Sequence, residues 1–155
     1  GEGLATRRNV LIDQGRLQRF VHNSYSGRRL GTASTGNAVR GYSSTPGAGT
    51  IALSLVPGTR SQAELIAGID NGVLIQGVSG LHSGVNTVSG DFSTGADGLR
   101  IRNGELAEPL REFTIGSTLQ RMLLDVLEVG GDIEWLPSSA AGLSLVVGDI
   151  TLSGV

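Results

Sequence analysis

Residues 77–110 read GVSGLHSGVNTVSGDFSTGADGLRIRNGELAEPL, and two features of this stretch decide the fold. Leu99 and Ile101 alternate with Arg100 and Arg102, Asn103-Gly104 follows, and Leu106 resumes the apolar pattern. Asn-Gly accepts the positive φ angles of a type I′ turn, so the pattern predicts two antiparallel strands joined there. Upstream, Gly84, Gly90, Gly95 and Gly98 leave few bulky side chains beyond Val85, Val88 and Phe92. Such a backbone suits bends, bulges and close approach of another backbone. The stretch contains one His, no Cys and no cluster of catalytic residue types.

Working outward, residues 72–77 form a strand leading into this stretch. Ser61-Gln62-Ala63-Glu64 is a capping box ahead of Leu65, Ile66 and Ile69, which predicts a helix over 61–70. Before it, TIALSLV at 50–56 reads as a strand stopped by Pro57-Gly58. Residues 23–49, rich in Ser, Thr and Gly, read as a long irregular loop, and loops of that length are often functional. Residues 9–13 form a short strand with a turn at Gln14-Gly15, and 17–21 lean to strand.

Downstream, Ser117-Thr118-Leu119-Gln120 is a second capping box. Leu119, Met122, Leu123, Val126 and Leu127 recur at helical spacing and predict a helix over 117–129, stopped by Gly130-Gly131. Three short strands at 133–136, 143–147 and 150–152 are broken by Pro137, Gly142 and Gly148. Strands dominate, so the expected fold is α+β, with a mostly antiparallel sheet, barrel-like or sandwich, and two helices. Length suits a single domain over 1–155. A start without Met is expected of a domain excised from a larger protein.

Composition narrows the function classes. Glycine supplies 25 of 155 residues, which argues for turn-rich β structure in a chain too apolar to be disordered. The net charge is −2 and every basic residue is Arg, so no electrostatic footprint for nucleic acid exists. Arg7-Arg8 and Arg28-Arg29 are the local basic pairs, and two adjacent charges read as solvated turns. No Cys removes disulfides and thiolate chemistry and is compatible with the cytoplasm. No apolar run reaches the length of a membrane-spanning helix, and the first residues lack a signal-peptide core.

The search for catalytic motifs is negative. His22 and His82 lie far apart, with no carboxylate at a helical ligand offset, so no self-contained zinc site is expected. No G-x-S-x-G elbow supports a Ser nucleophile, and no Lys exists for a phosphate-binding loop. Asp91 and Asp97 could pair as acid and base, but Asp beside Gly or Ser in a turn region usually serves the turn.

Several ordered segments resemble the C-terminal domain of the TldD/PmbA proteins. They include Ser34-Thr35-Gly36-Asn37, Pro57-Gly58 ahead of the capped helix, Ser89-Gly90-Asp91-Phe92-Ser93, and Arg102-Asn103-Gly104-Glu105. The resemblance covers about 3–154. It implies a family of paired peptidase subunits, also labelled modulators of DNA gyrase. Its TldD type carries a His-Glu-x-x-x-His zinc helix in a preceding region and adds a Cys ligand from this domain. Residues 136–142, where that Cys would fall, contain none.

The resemblance therefore implies the PmbA, or TldE, type: a non-catalytic subunit forming the chamber and peptide channel with a TldD-like zinc partner, or pairing with itself. It implies zinc in the partner only and an unfolded peptide as substrate; the near-neutral charge and the lack of a long apolar run point to no nucleic acid or membrane partner, and the expected location is the cytoplasm. No catalytic or metal-ligating residue carries over to this chain.

The residues themselves point to peptide binding by another route. A Gly-rich edge around His82, Ser83, Gly84, Ser89, Gly90, Asp91 and Phe92 would offer backbone groups to an extended peptide added as a strand. The second candidate surface holds Thr35, Asn37 and Arg40, with Arg40 able to grip a carboxylate. The glycines serving only bulges and turns, and Arg40 as a solvated loop residue, are the plainer readings. Other functions left open are a structural or protein-interaction domain without a role in proteolysis, an enzyme with an unrecognised Ser or Asp site, and a DNA gyrase modulator.

Overall fold

The structure is a computed structural model that describes residues 1–137 and 140–154. Ser138 and Ser139, within the Cys-free segment 136–142, and Val155 lie outside the described residues. The chain groups into two compact units, residues 1–55 and the residues from Val56 onward.

In the first unit, β1 (Ile12–Asp13) pairs antiparallel with β2 (Arg16–Leu17). Gln14 and Gly15 turn between them with φ of 47° and 74°. The strand expected over 17–21 does not continue past Leu17. The stretch 23–49 contains α1 (Ser24–Arg29), β3 (Ala38–Val39) and β4 (Gly47–Ala48), the last two paired. Its helix starts because the side-chain oxygen of Asn23 accepts the Ser26 N–H at 2.7 Å, a cap hidden in the Ser/Gly-rich composition.

The strand expected at 50–56 does not form. No strand lies alongside it among the described residues, and Ile51 and Leu53 are 79% and 75% exposed. Alternation alone makes no strand, because the extended backbone needs a neighbour to satisfy its N–H and C=O groups.

The second unit opens with α2 (Gln62–Ala67). Its predicted capping box is present, with the Ser61 N–H donating to Glu64 Oε2 at 2.8 Å. Bonds from the Ser61 backbone and then from its hydroxyl hold the Glu64 carboxyl below its ordinary pKa. Next come β5 (Asn71–Ser79), α3 (Leu81–Gly84), β6 (Asp91–Arg102) and β7 (Glu105–Thr118). The last two are the predicted hairpin: Arg102 faces Glu105 across Asn103 (φ 48°) and Gly104 (φ 79°). Its tip docks on the end of α2, the Asn103 and Gly104 N–H groups donating to the carbonyls of Asp70 and Ile69 at 2.7 and 2.9 Å.

Then follow α4 (Leu119–Leu124), β8 (Val126–Val129), β9 (Glu134–Trp135), β10 (Ala141–Gly142), β11 (Leu145–Val147) and β12 (Thr151–Ser153). The helix expected over 117–129 therefore stops at Leu124. Thr118 rather than Ser117 caps it, its hydroxyl accepting the Arg121 N–H at 3.1 Å. The β-branched ends of Val126-Leu127-Glu128-Val129 favour an extended backbone, which pairs with β11.

The main sheet has four strands in the order β12-β7-β6-β5, all antiparallel, and β8 with β11 and β9 with β10 form separate ribbons. The architecture is α+β and mostly antiparallel, as expected. The sheets stay open, so no closed barrel forms among the described residues. Four short helices replace the two expected.

Ala96, Phe113 and Ile115 form the buried core on one side of the sheet, with Val73, Phe92, Leu110, Ile150 and Leu152 packed against them. Burial of the larger of these side chains contributes about 1.5–3 kcal/mol each. No helix among the described residues is long and apolar enough to cross a membrane.

Candidate functional site

The ten residues singled out from sequence divide between the two units. Thr35 and Asn37 lie in the first and use their polar groups there. The Thr35 hydroxyl accepts the His22 N–H at 2.8 Å and lies 2.8 Å from Asn37 Oδ1. The Asn37 amide donates to the Gly49 carbonyl at 3.1 Å, and Asn9 bridges the Thr35 carbonyl and Asn37 Oδ1. Arg40 is exposed and makes no ion pair among the described residues.

In the second unit, Ser83, Gly84, Asp91 and Phe92 line one open cavity of about 560 Å³ together with Val85, Asn86 and Ser93. The cavity exists because the chain doubles back between α3 and β6, with Val85 bridging Phe92. Gly84 permits that contact: a β-carbon there would overlap the Ser93 carbonyl oxygen. Asn86 closes the loop, its side-chain oxygen accepting the Val88 and Ser89 N–H groups at 2.9 and 3.2 Å.

Ser89 donates its hydroxyl to Asp91 Oδ2 at 2.6 Å, and its carbonyl accepts the Gln120 amide at 3.1 Å. Gly90, at φ 83°, packs so closely on Gln120 that a β-carbon would overlap its side chain. His82 stands exposed on α3 and does not line the cavity. The Gly-rich segment thus folds over the start of β6 instead of forming a bare sheet edge. The edges of the main sheet are β5 and the three-residue β12.

A second cavity, of about 480 Å³, was not anticipated from sequence. It is lined by Gln76 of β5, Asp97, Gly98 and Leu99 of β6, and Pro109, Leu110, Arg111 and Glu112 of β7. Two bulges produce it. Opposite Asp97 and Gly98, β5 inserts Gln76, because Ile75 faces Gly98 while Gly77 faces Asp97. On the other side β7 gains one residue, setting Arg111 and Glu112 opposite the single Asp97, because Leu110 faces Gly98 while Phe113 faces Ala96.

Glu112 adopts φ 56°, and its N–H donates to Asp97 Oδ1 at 3.1 Å. Gly98 makes the crossing feasible, since a β-carbon would overlap the Leu74 carbonyl oxygen. The Asp-Gly pair within a glycine-rich strand was the visible signal. The compensating insertion in Pro109-Leu110-Arg111-Glu112 had none.

The acid-base pairing of Asp91 with Asp97 does not form. Asp91 and Asp97 lie on one strand six residues apart, about 20 Å at the rise of an extended chain. No group of three His, Cys, Asp or Glu side chains stands close enough to hold a metal among the described residues. The donor set present does not fit a zinc ion.

Fold and cavities together define a β-rich domain built on an open antiparallel sheet, with two open cavities along its strands. Over residues 1–154 the chain matches the family described as PmbA/TldA metallopeptidase C-terminal domain, and it belongs to that family. It is 34% identical to a metalloprotease PmbA homolog of Haemophilus influenzae, the match covering 99% of this chain and 32% of that protein.

Among solved structures, a Thermotoga maritima protein described as a candidate modulator of DNA gyrase superposes with a TM-score of 0.83 at 32% identity, over 97% of this chain and 34% of that one. TldE of Thermococcus kodakarensis gives 0.76 at 28% identity, over 98% and 35%. The chain spans about one third of the length of these relatives.

Proposed function

We propose that this domain is part of a non-catalytic peptidase subunit that forms the chamber and peptide channel together with a TldD-like zinc partner. One observation carries the reading: end-to-end likeness to proteins named PmbA and TldE. The Cys-free segment 136–142 agrees with it. In this reading unfolded peptides are the substrate, zinc resides in the partner, and the complex works in the cytoplasm. Residues 82–92 and the surface around Thr35, Asn37 and Arg40 are the proposed lining.

The test is co-expression with a TldD-like subunit, followed by elemental analysis. The expected result is a stable zinc-containing complex and no stoichiometric zinc in the protein purified alone. Stoichiometric zinc in the protein alone would overturn the assignment, and a stable homodimer indifferent to the partner would overturn the pairing.

A further inference from the structure

The longer edge strand of the main sheet, β5, has properties that the channel reading does not use. β5 reads NGVLIQGVS, nine residues without a charge or a proline, and its outward backbone groups meet no other strand among the described residues. Natural proteins usually blunt such an edge with lysine, proline or a covering element. Here Ile75 and Val78 are exposed as well.

Gln76 of this edge is one wall of the bulge cavity, so a chain laid along β5 would run beside that wall. Its lining combines apolar Leu99, Pro109 and Leu110 with two carboxylates, Asp97 and Glu112, against a single guanidinium, Arg111. Only one oxygen of Asp97 is engaged, by the Glu112 N–H. An apolar wall ending in surplus negative charge complements a long side chain with an aliphatic stem and a cationic head. Main-chain pairing along an edge, with an adjacent pocket for one side chain, is how strand-adding domains obtain affinity and selectivity.

We propose that the edge of β5 receives an extended peptide as a fifth strand and that the bulge cavity takes a lysine or arginine side chain of that peptide. The proposal rests on the peptide-handling reading above, but it concerns a different face and can fail separately. A neutral edge suits a peptide of any sequence, while the cavity imposes a preference at one position. Such a site would hold a substrate strand in register while leaving its remaining side chains unread.

The experiment uses the protein without a zinc partner and fluorescence polarisation with labelled peptides of the length of β5. One carries a central Lys, a second norleucine at that position, and a third the Lys with alternate backbone amides N-methylated. The Lys peptide should bind about tenfold more tightly than either of the others. The double substitution Asp97→Asn with Glu112→Gln should bring Lys-peptide binding down to the level of the norleucine peptide, and the asparagine side-chain oxygen can still accept the backbone N–H at residue 112 that Asp97 accepts in the parent.

Equal binding of the Lys and norleucine peptides by the unaltered protein would overturn the side-chain assignment. Equal binding of the N-methylated peptide would overturn strand addition. Sedimentation showing a dimer that peptide does not dissociate would mean that a second copy occupies the edge. Failure to pair with a zinc subunit would strike the functional reading alone and leave these binding results in force.

Discussion

The two units of this chain hold their shape by different means. Among the described residues, every buried apolar side chain, namely Leu65, Ala96, Ile101, Phe113 and Ile115, belongs to the second. In the first, the buried residues are Asn23 and Gly27. Its strands are two residues long, and side-chain amides and hydroxyls of Asn9, Asn23, Thr35 and Asn37 tie its segments together. One unit relies on a sheet with a packed face; the other relies on polar staples. The contrast teaches that local order need not signal a core, and it makes the two units respond differently to the same kind of damage.

The largest effect should come from Phe113→Ala. Phe113 is 1% exposed at the centre of the core, and emptying its site costs about 4 kcal/mol. Chemical denaturation should reveal that loss in the second unit while amide exchange in the first is unchanged. Gly98→Ala comes next, at about 2–3 kcal/mol, because its methyl group would have to displace the Leu74 carbonyl at the paired bulges. A variant as stable as the parent would refute that crossing.

Asn23→Ala is the test of the polar unit. It removes the helix cap and leaves the Pro46 carbonyl without its amide donor, which bonds at 2.9 Å in the parent, for a loss of about 2 kcal/mol. Exchange rates over α1 should rise sharply; unchanged rates would erase the distinction between the units.

The smallest effect is electrostatic. Hydrogen bonds from Ser144, first its hydroxyl at 2.6 Å and then its N–H, hold the Asp132 carboxyl below its ordinary pKa. A depressed folded-state pKa contributes stability above the unfolded value and loses it as pH falls through the folded one. Ser144→Ala should therefore move the Asp132 titration midpoint upward and make the acid limb of stability shallower. An NMR titration in which Asp132 does not shift would dispose of the effect.

The same contrast explains what could be read from sequence. The hairpin turn at Asn103-Gly104 and the Ser61–Glu64 cap were legible because each depends on residues adjacent in sequence. The helix at Ser24–Arg29 was hidden because its capping residues sit in a composition typical of loops. The strand expected over 50–56 and the helix expected through residue 129 failed for a common reason. Periodicity records which side chains are apolar, not whether a neighbouring backbone is available, and Val126–Val129 found one in β11 whereas 50–56 did not.

At the candidate site, the glycine dependence of residues 83–92 was legible, but the sequence reads as a sheet edge there, and neither the cavity they line nor the paired bulges could be seen. Insertions on two strands that compensate each other across a third are a property of register, and a single strand carries no mark of it.

The strand order also bears on the path by which the chain reaches this structure. β5, β6 and β7 follow one another in sequence, and the last two close through a two-residue turn. β12 must instead return from beyond α4 and two further ribbons to pair Thr151–Ser153 with Thr114–Gly116. Loop closure grows costlier with separation and long-range contacts form late, so the three-stranded meander should nucleate folding and β12 should join last. Substitutions in β12 would then speed unfolding with little effect on the folding rate, whereas changes at Asn103-Gly104 would slow folding itself.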